Sequence, residues 1–203
     1  GNDSLPLSAV ADHLSSNPKL LYWYLQLVFE RKPEVYVSFP DTAVPPKSVT
    51  DLHRIHLDLH VEYAKDKDSV KALAGTQAYD LESHTTPLMS FLKASLPLSG
   101  ILPNEVRRLL YAERSGGDDD VDASAGEPER FPHVFALELA FVIEEYGDDS
   151  EEDAKTILDL YLTGARSIML AASFAQRDTA HSAVLWDNLI QFCLDTSNNN
   201  NNN

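Results

Sequence analysis

The sequence predicts an all-α fold, an α-solenoid of antiparallel helical hairpins, and three observations predict it. Apolar residues recur at helical spacing in every strongly patterned segment. Caps and prolines punctuate those segments where helices start and stop. No segment shows the β-branched, two-residue alternation of a strand flanked by hairpin turns.

In chain order, the first strong signal is Asn17-Pro18, a cap followed by a first-turn proline. It opens an apolar run from Leu20 to Phe29 that closes at Pro33. Pro33, Pro40, Pro45 and Pro46 crowd the next stretch, which is therefore expected to be an extended connection. Ser48 is the expected cap of the following helix, with Asp51 at the third following position as a weaker capping box. There Val49, Leu52, Ile55, Leu59 and Tyr63 share one face while Leu57 and Val61 fall on another, so more than one side should be buried. Lys65–Ser83 is mixed, with one short helix predicted around Val70–Leu81. Thr86-Pro87 restarts the pattern with Leu88, Met89, Phe91 and Leu92, and Pro103 opens another helix with Val106, Leu109, Leu110 and Tyr111. Gly116 to Pro128 is rich in Gly, Asp, Ala and Ser without an apolar period, which predicts a flexible acidic insertion at about 115–130.

The last third is the most regular. Phe131–Tyr146 is apolar around most of its circumference and meets Gly147 as a left-handed stop. Ser150 opens the next helix, with Asp153 three residues on and acids in the first turn, at the positive end of the helix dipole. Its stripe is Ala154, Ile157, Leu158, Tyr161 and Leu162, with Gly164 just beyond. Arg166–Gln176 is the third helix and Thr179–Leu194 the fourth, where Leu185, Trp186, Leu189, Ile190 and Cys193 align. Trp186, at the centre of that stripe, is expected to pack into the preceding pair, so that Trp186→Ala would cost about 3 to 5 kcal/mol.

Helices of roughly 10 to 17 residues are too short to be stable alone, so each must bury its stripe on neighbours; sequential antiparallel pairing is the expected solution. Residues 1–197 are read as a single helical-repeat region without a strict repeat period, and the asparagine run 198–203 as a tail outside the fold.

Composition narrows function. With 203 residues and 43% hydrophobic residues the chain can build a core. Its 16 Lys+Arg against 32 Asp+Glu leave a formal charge of −16, which repels phosphate backbones and anionic lipid headgroups. Neither nucleic acid nor direct membrane insertion is therefore expected. Cys193 is the single cysteine, so disulfide, C-x-x-C and multi-cysteine zinc chemistry fall away and a reducing, cytoplasmic setting is expected.

Four constellations are candidates for more than packing. His53, His56 and His60 lie on one helix, and the four-residue step from His56 to His60 is one that two metal-bound imidazoles use. No acid completes an H-E-x-x-H pattern and His56 borders the apolar stripe, so solvated or packed histidines are the preferred reading and a metal hydrolase the lesser one. Asp118, Asp120, Asp122, Ser124 and Glu129 occupy ligand positions of a calcium loop, but Ala123 stands where the turn needs glycine and Pro128 precedes the closing glutamate, which favours a solvated insertion. Between Glu113 and Asp159 there are 16 acidic side chains against three basic ones, either an exposed soluble edge or a docking surface for a basic protein. Tyr22, Trp23 and Tyr24 are successive on a helix and point in different directions, so most are expected in the core. No phosphate-binding loop, nucleophile elbow or Cys/His nucleophile pair is present, so no catalytic, cofactor-binding or metal residue is assigned and no cofactor is expected.

Three stretches in order carry a family resemblance. They are Asn17-Pro-Lys-Leu-Leu-Tyr-Trp-Tyr-Leu-Gln-Leu-Val-Phe29; Leu57-Asp-Leu-His-Val-Glu-Tyr-Ala64 leading to Leu88-Met-Ser-Phe-Leu-Lys-Ala-Ser95; and Ser173-Phe-Ala-Gln-Arg-Asp178 followed by Leu185-Trp-Asp-Asn-Leu-Ile-Gln-Phe-Cys-Leu-Asp195. Together they resemble the clathrin-heavy-chain-repeat region of the vacuolar protein sorting-associated protein 41 family. Related arrays occur in other tethering subunits, including those of the CORVET complex, and Pro33–Lys47, Lys65–Thr85 and Gly116–Arg130 are longer than the family pattern. The resemblance implies a non-catalytic scaffold segment of a HOPS-type tethering subunit, peripheral on late endosome or vacuole membranes, whose partners are other tethering subunits. An unrelated helical-repeat adaptor has the same composition.

Overall fold

The computed structural model describes residues 7–32, 47–64, 86–97, 101–115 and 135–200. Among these residues the fold is all-helical, with nine helices and no strand. The chain divides into two compact units, Gly1–Glu105 and Val106–Asn203.

In the first unit α1 spans Leu7–Leu14, α2 Pro18–Arg31, α3 Lys47–Ala64 and α4 Pro87–Ser95. Two of the starts follow the sequence signals atom for atom. Asn17 Oδ1 accepts from Leu20 N–H at 3.2 Å ahead of Pro18, and Thr86 Oγ1 accepts from Met89 N–H at 2.9 Å ahead of Pro87. Each satisfies one of the orphan donors of a first turn. Helix α2 ends at Arg31, before Pro33, as the proline requires. Helix α3 begins at Lys47, so Ser48 lies inside the first turn and not at the expected cap. Helix α1 was not anticipated; Leu7, Val10, Ala11 and Leu14 supply its apolar spacing, and Ala11 is buried. It packs on α2 and α3, α2 packs on α3, and α3 packs on α4.

Helix α3 buries a wide arc, Leu52, His53, His56, Leu57, Leu59, His60 and Val61. Ile55, expected on the core stripe, is instead 39% exposed, beside Arg54, Asp58 and Glu62 on the outer face. The histidines hold the middle of the buried arc. Arg54 donates to Glu105 at 3.2 Å across the outer surface of this unit, where such an exposed pair contributes about 0–1 kcal/mol.

Helix α5 spans Pro103–Ser115, and Val106, which opens the second unit, is fully buried together with Leu110. Next come α6 at Ala136–Tyr146, α7 at Glu151–Asp159, α8 at Ile168–Arg177 and α9 at Ser182–Asn200. A π-helical turn, Leu160–Gly164, continues α7 and ends with Ala165 N–H bonded to Leu160 O at 2.8 Å. Leu160, Tyr161, Leu162 and Gly164 are all buried, so this turn is covered around most of its circumference. Helix α6 packs on α7 and the π turn, while α8 and α9 pack on each other and on α7. Leu139, Val142, Ile143, Ile157, Leu158, Phe174 and Leu185 form the core, each contributing about 1.5 to 3 kcal/mol by burial.

The junction of α6 and α7 corrects one expectation. Gly147 is not left-handed; it sits at φ −76° and ψ −177°, and its N–H bonds Ile143 O at 2.8 Å. Glycine is required there by proximity, because a Cβ would lie 2.4 Å from Ile143 O and 2.6 Å from Asp153 Oδ2. The left-handed residues are Asp149 and Arg166, each at φ 52°. Ser150 Oγ accepts from Asp153 N–H at 3.1 Å, as the capping signal predicts. The Asp153 carboxylate takes Asp148 N–H at 3.0 Å and Arg107 at 2.9 Å, which locks α5 to the start of α7.

The second correction falls on α9. Leu185 and Leu189 are buried, but Trp186 is 38%, Ile190 54% and Leu194 55% exposed, and Cys193 is exposed with them. The expected single stripe is therefore two adjacent strips, one packed and one facing solvent, because the packed faces of α7 and α8 cover only one flank of the helix. Trp186 is not a core anchor. The helix also runs to Asn200, three residues into the asparagine run.

Candidate functional site

The sequence candidates that the fold brings together are the three histidines. His53, His56 and His60 are separated by three and four residues and so occupy one side of α3. Their exposures are 0%, 0% and 2%. Helix α2 meets them with Tyr22 and Phe29, and α4 with Phe91. The His56 and His60 rings stack at 4.4 Å with 21° between planes, and Phe91 lies 4.7 Å from His56 and 5.2 Å from His60. Tyr22 meets His60 edge-on at 5.1 Å and stacks on Tyr63 at 5.2 Å. Phe29 closes the cluster against Phe91 at 5.7 Å.

Protonation states follow from burial. The Tyr22 phenol is pushed far above its ordinary value by desolvation and then by the Glu30 charge, so it keeps its proton. It therefore donates to His60 Nδ1 across 3.0 Å, and the His60 proton sits on Nε2. Burial pushes His60 down to about 3. His56 is driven well below the ordinary imidazole value by burial first, then by His60 and His53. At neutral pH His56 and His60 are thus uncharged, as a core shared with Phe29 and Phe91 demands.

This arrangement suits packing better than catalysis. An imidazole with a value near 3 is a weak general base at neutral pH. Near-parallel stacked rings carry their in-plane lone pairs side by side and not toward a common point. Among the described residues no group of three or more His, Cys, Asp or Glu side chains is placed to hold a metal.

The second unit has a cleft of about 310 Å³ lined by Glu144, Asp149, Asp153, Phe174, Arg177 and Asp178, among others. Apart from Asp149, its charged groups are paired. Arg177 pairs with Glu144 at 3.0 Å, Asp153 with Arg107, and Asp178 Oδ2 with His181 Nδ1 at 3.0 Å. Tyr161 donates to Glu144 at 3.5 Å, and its phenol is pushed up to about 12 by burial and by that carboxylate. These links fasten α6 to α8 and to the π turn.

Of the other sequence candidates, Tyr22 is in the core while Trp23 and Tyr24 are half-buried. The calcium-loop residues Asp118 to Glu129 lie outside the described residues, as do the helix predicted around Val70–Leu81 and much of the acidic stretch 113–159. Sequence reasoning missed the pairing of Tyr22 with His60, and the part of Phe91. The available signal was Tyr22, Gln26 and Phe29 at steps of four and three on α2, matching the histidine steps on α3.

No protein-family model, curated protein or solved structure matches the chain.

Proposed function

We propose that this chain is a non-catalytic helical scaffold that acts through protein–protein contacts, a segment of a HOPS-type tethering subunit working in vesicle docking at endosomes or the vacuole. One observation supports the reading above others. His53, His56 and His60 are enclosed in the core, and the charged groups that line the cleft of the second unit are, Asp149 apart, taken up in pairs, whereas large apolar side chains on α8 and α9 face solvent. An enzyme would hold unpaired titratable groups together in a cleft; a scaffold would spend them on packing and pairing and present apolar surface outside. The order of packing, each helix against its sequence neighbours in α1–α2 and α6 to α9, is what a solenoid of antiparallel hairpins would have, and that is the arrangement we propose. No helix among the described residues is long and apolar enough to cross a membrane, which agrees with a peripheral location.

Co-expression with the subunits of HOPS and CORVET assemblies, followed by size-exclusion chromatography, tests the proposal. Co-elution with HOPS subunits is expected. Co-elution with CORVET subunits alone would move the chain to that complex, and with neither would leave an unrelated repeat adaptor. Stoichiometric metal in the purified protein together with hydrolytic activity lost in His56→Ala would reject the scaffold reading.

A further inference from the structure

We propose that the solvent-facing strip Trp186, Ile190 and Leu194 of α9, bordered by Asp187 and Asp195, is a docking surface for a basic amphipathic helix of a partner protein. The inference rests on the scaffold reading and names the face and the chemistry of what it binds.

The strip is built by spacing. Residues 186, 190 and 194 recur every four positions and lie on one side of α9, and Cys193, seven positions after Trp186, falls on the same side two turns further along, next to Ile190. Leu185 and Leu189, one position earlier in each turn, are the ones that pack inward. From Trp186 to Leu194 the strip runs about 12 Å, two helical turns, which matches the anchor spacing of a helix laid along a groove or face. Tryptophan is the residue most enriched among the anchors that dominate interface energetics.

Charge decides the occupant. Asp187 and Asp195 follow Trp186 and Leu194 directly, and Asp187 lies at the edge of the strip away from the packed flank. Gln191 donates to Asp195 at 2.8 Å, a neutral partner that leaves the carboxylate charge in place. No Lys or Arg occurs in α9, Ser182–Asn200. Over residues 135–200 there are twelve acidic side chains against three basic ones, Lys155, Arg166 and Arg177. Two of those are engaged, Lys155 with Glu151 and Arg177 with Glu144. An apolar strip in an acidic field attracts Lys and Arg flanking a complementary apolar stripe. The same field argues against the other occupants. A second copy brings its own −16, and the acidic Gly116–Glu129 segment of this chain is likewise repelled. A helix that lies on an anionic bilayer carries Lys and Arg on its polar face, which α9 lacks.

The test uses the full chain and three synthetic helical peptides: a leucine-striped helix flanked by lysines, the same helix with glutamates for lysines, and the lysine peptide with its stripe scrambled. Binding is read from the alkylation rate of Cys193, the only cysteine in the chain, and from Trp186 emission in a Trp23→Phe background. The lysine helix should bind, slow Cys193 alkylation and weaken as salt rises. Trp186→Ala should lower affinity at least about ten-fold, as loss of an interface anchor does. Asp187→Lys with Asp195→Lys should also weaken it, and Ile190→Asp gives a second reading of the strip should Trp186→Ala disturb folding by circular dichroism. Equal binding of the glutamate helix, equal binding of the scrambled peptide, no protection of Cys193, or self-association lost in Trp186→Ala would each overturn the proposal. If all three peptides fail while the chain still co-elutes with tethering subunits, this face is wrong and the scaffold reading survives. If the lysine helix docks and no subunit co-elutes, the face stands and the tethering assignment falls.

Discussion

Acidification should destabilise the first unit at a pH where its carboxylates are still mostly charged, because unfolding lets His60 take up a proton that the fold excludes. The sign follows from the two states. His60 titrates near 6.5 when unfolded and is held down to about 3 in the core, so below pH 6.5 the unfolded chain binds a proton that the folded chain does not. Stability is therefore fully present above about pH 6.5 and falls by about 1.4 kcal/mol per pH unit down toward pH 3. At pH 5.0 the His60 contribution to the loss is about 2 kcal/mol, against a usual domain stability of about 5 to 15 kcal/mol. His56, lowered by burial and by its two neighbouring histidines, adds to the loss in the same direction. The described groups that face this row include Tyr22 on α2, protonated throughout the window, and the uncharged rings of Phe29 and Phe91, and among the described residues of this unit no buried side chain is a carboxylate. The assay is urea unfolding between pH 7.5 and 5.0, followed at Trp23 in a Trp186→Phe background so that emission reports only the first unit. The urea midpoint should drop by about 1 M at pH 5.0 for an m-value near 2 kcal/mol/M. In His60→Gln the baseline will be lower, but its dependence on pH should flatten by the His60 share. A wild-type midpoint constant across this window, or a His60→Gln slope equal to wild type, would refute the argument.

Tyr22→Phe removes the donor to His60 Nδ1 and leaves a buried acceptor unpaired, so the first unit should lose about 1 to 3 kcal/mol in the same urea assay. Gly147→Ala sets two effects against each other. Its extended backbone suits alanine, which would gain about 0.4 to 1 kcal/mol through the unfolded state. The new methyl, however, meets a backbone carbonyl and the Asp153 carboxylate, and overpacking of this kind costs about 1 to 3 kcal/mol. Net destabilisation of the second unit is expected, and a raised melting temperature would show that the junction yields. Deleting Gly116–Glu127, which supplies almost no apolar side chain, should leave the melting temperature nearly unchanged; a large calcium-induced rise in the intact protein would restore the calcium-loop reading.

The helices were legible where one local signal decides them. Asn17-Pro18, Thr86-Pro87 and Ser150 fix starts through a side chain within three residues of the donor it satisfies, and the structure places those bonds as the sequence implies. What the sequence could not settle depends on which flank a neighbour covers. Ile55 and Trp186 both fit an apolar period, yet Ile55 lies at the edge of its stripe and Trp186 lies one position past the flank, Leu185 and Leu189, that its neighbours cover, and a shift of one position on the wheel moves such a residue from core to solvent. His53, His56 and His60 misdirect in the opposite sense, because polar type alone suggests a surface or a ligand set. Their burial becomes readable only when the Tyr22–Phe29 face of α2 and Phe91 of α4 are set against them, a pairing between segments that no local rule encodes.

Edge residues are also where a scaffold exposes its contacts, so misassigned core positions and candidate interface positions come from one cause. A helix with apolar side chains over a wide arc has more stripe than a single neighbour can cover, and the surplus faces solvent until something binds it. Among the described side chains of α3 that surplus is Ile55, beside Arg54, Asp58 and Glu62, a single exposed apolar residue of the kind that needs no partner. On α9 it is a run of Trp186, Ile190 and Leu194 with acids at its border and no cation on the helix. Length, continuity and charge border separate the two cases, and by those criteria the second unit presents the surface to which a partner is expected to bind.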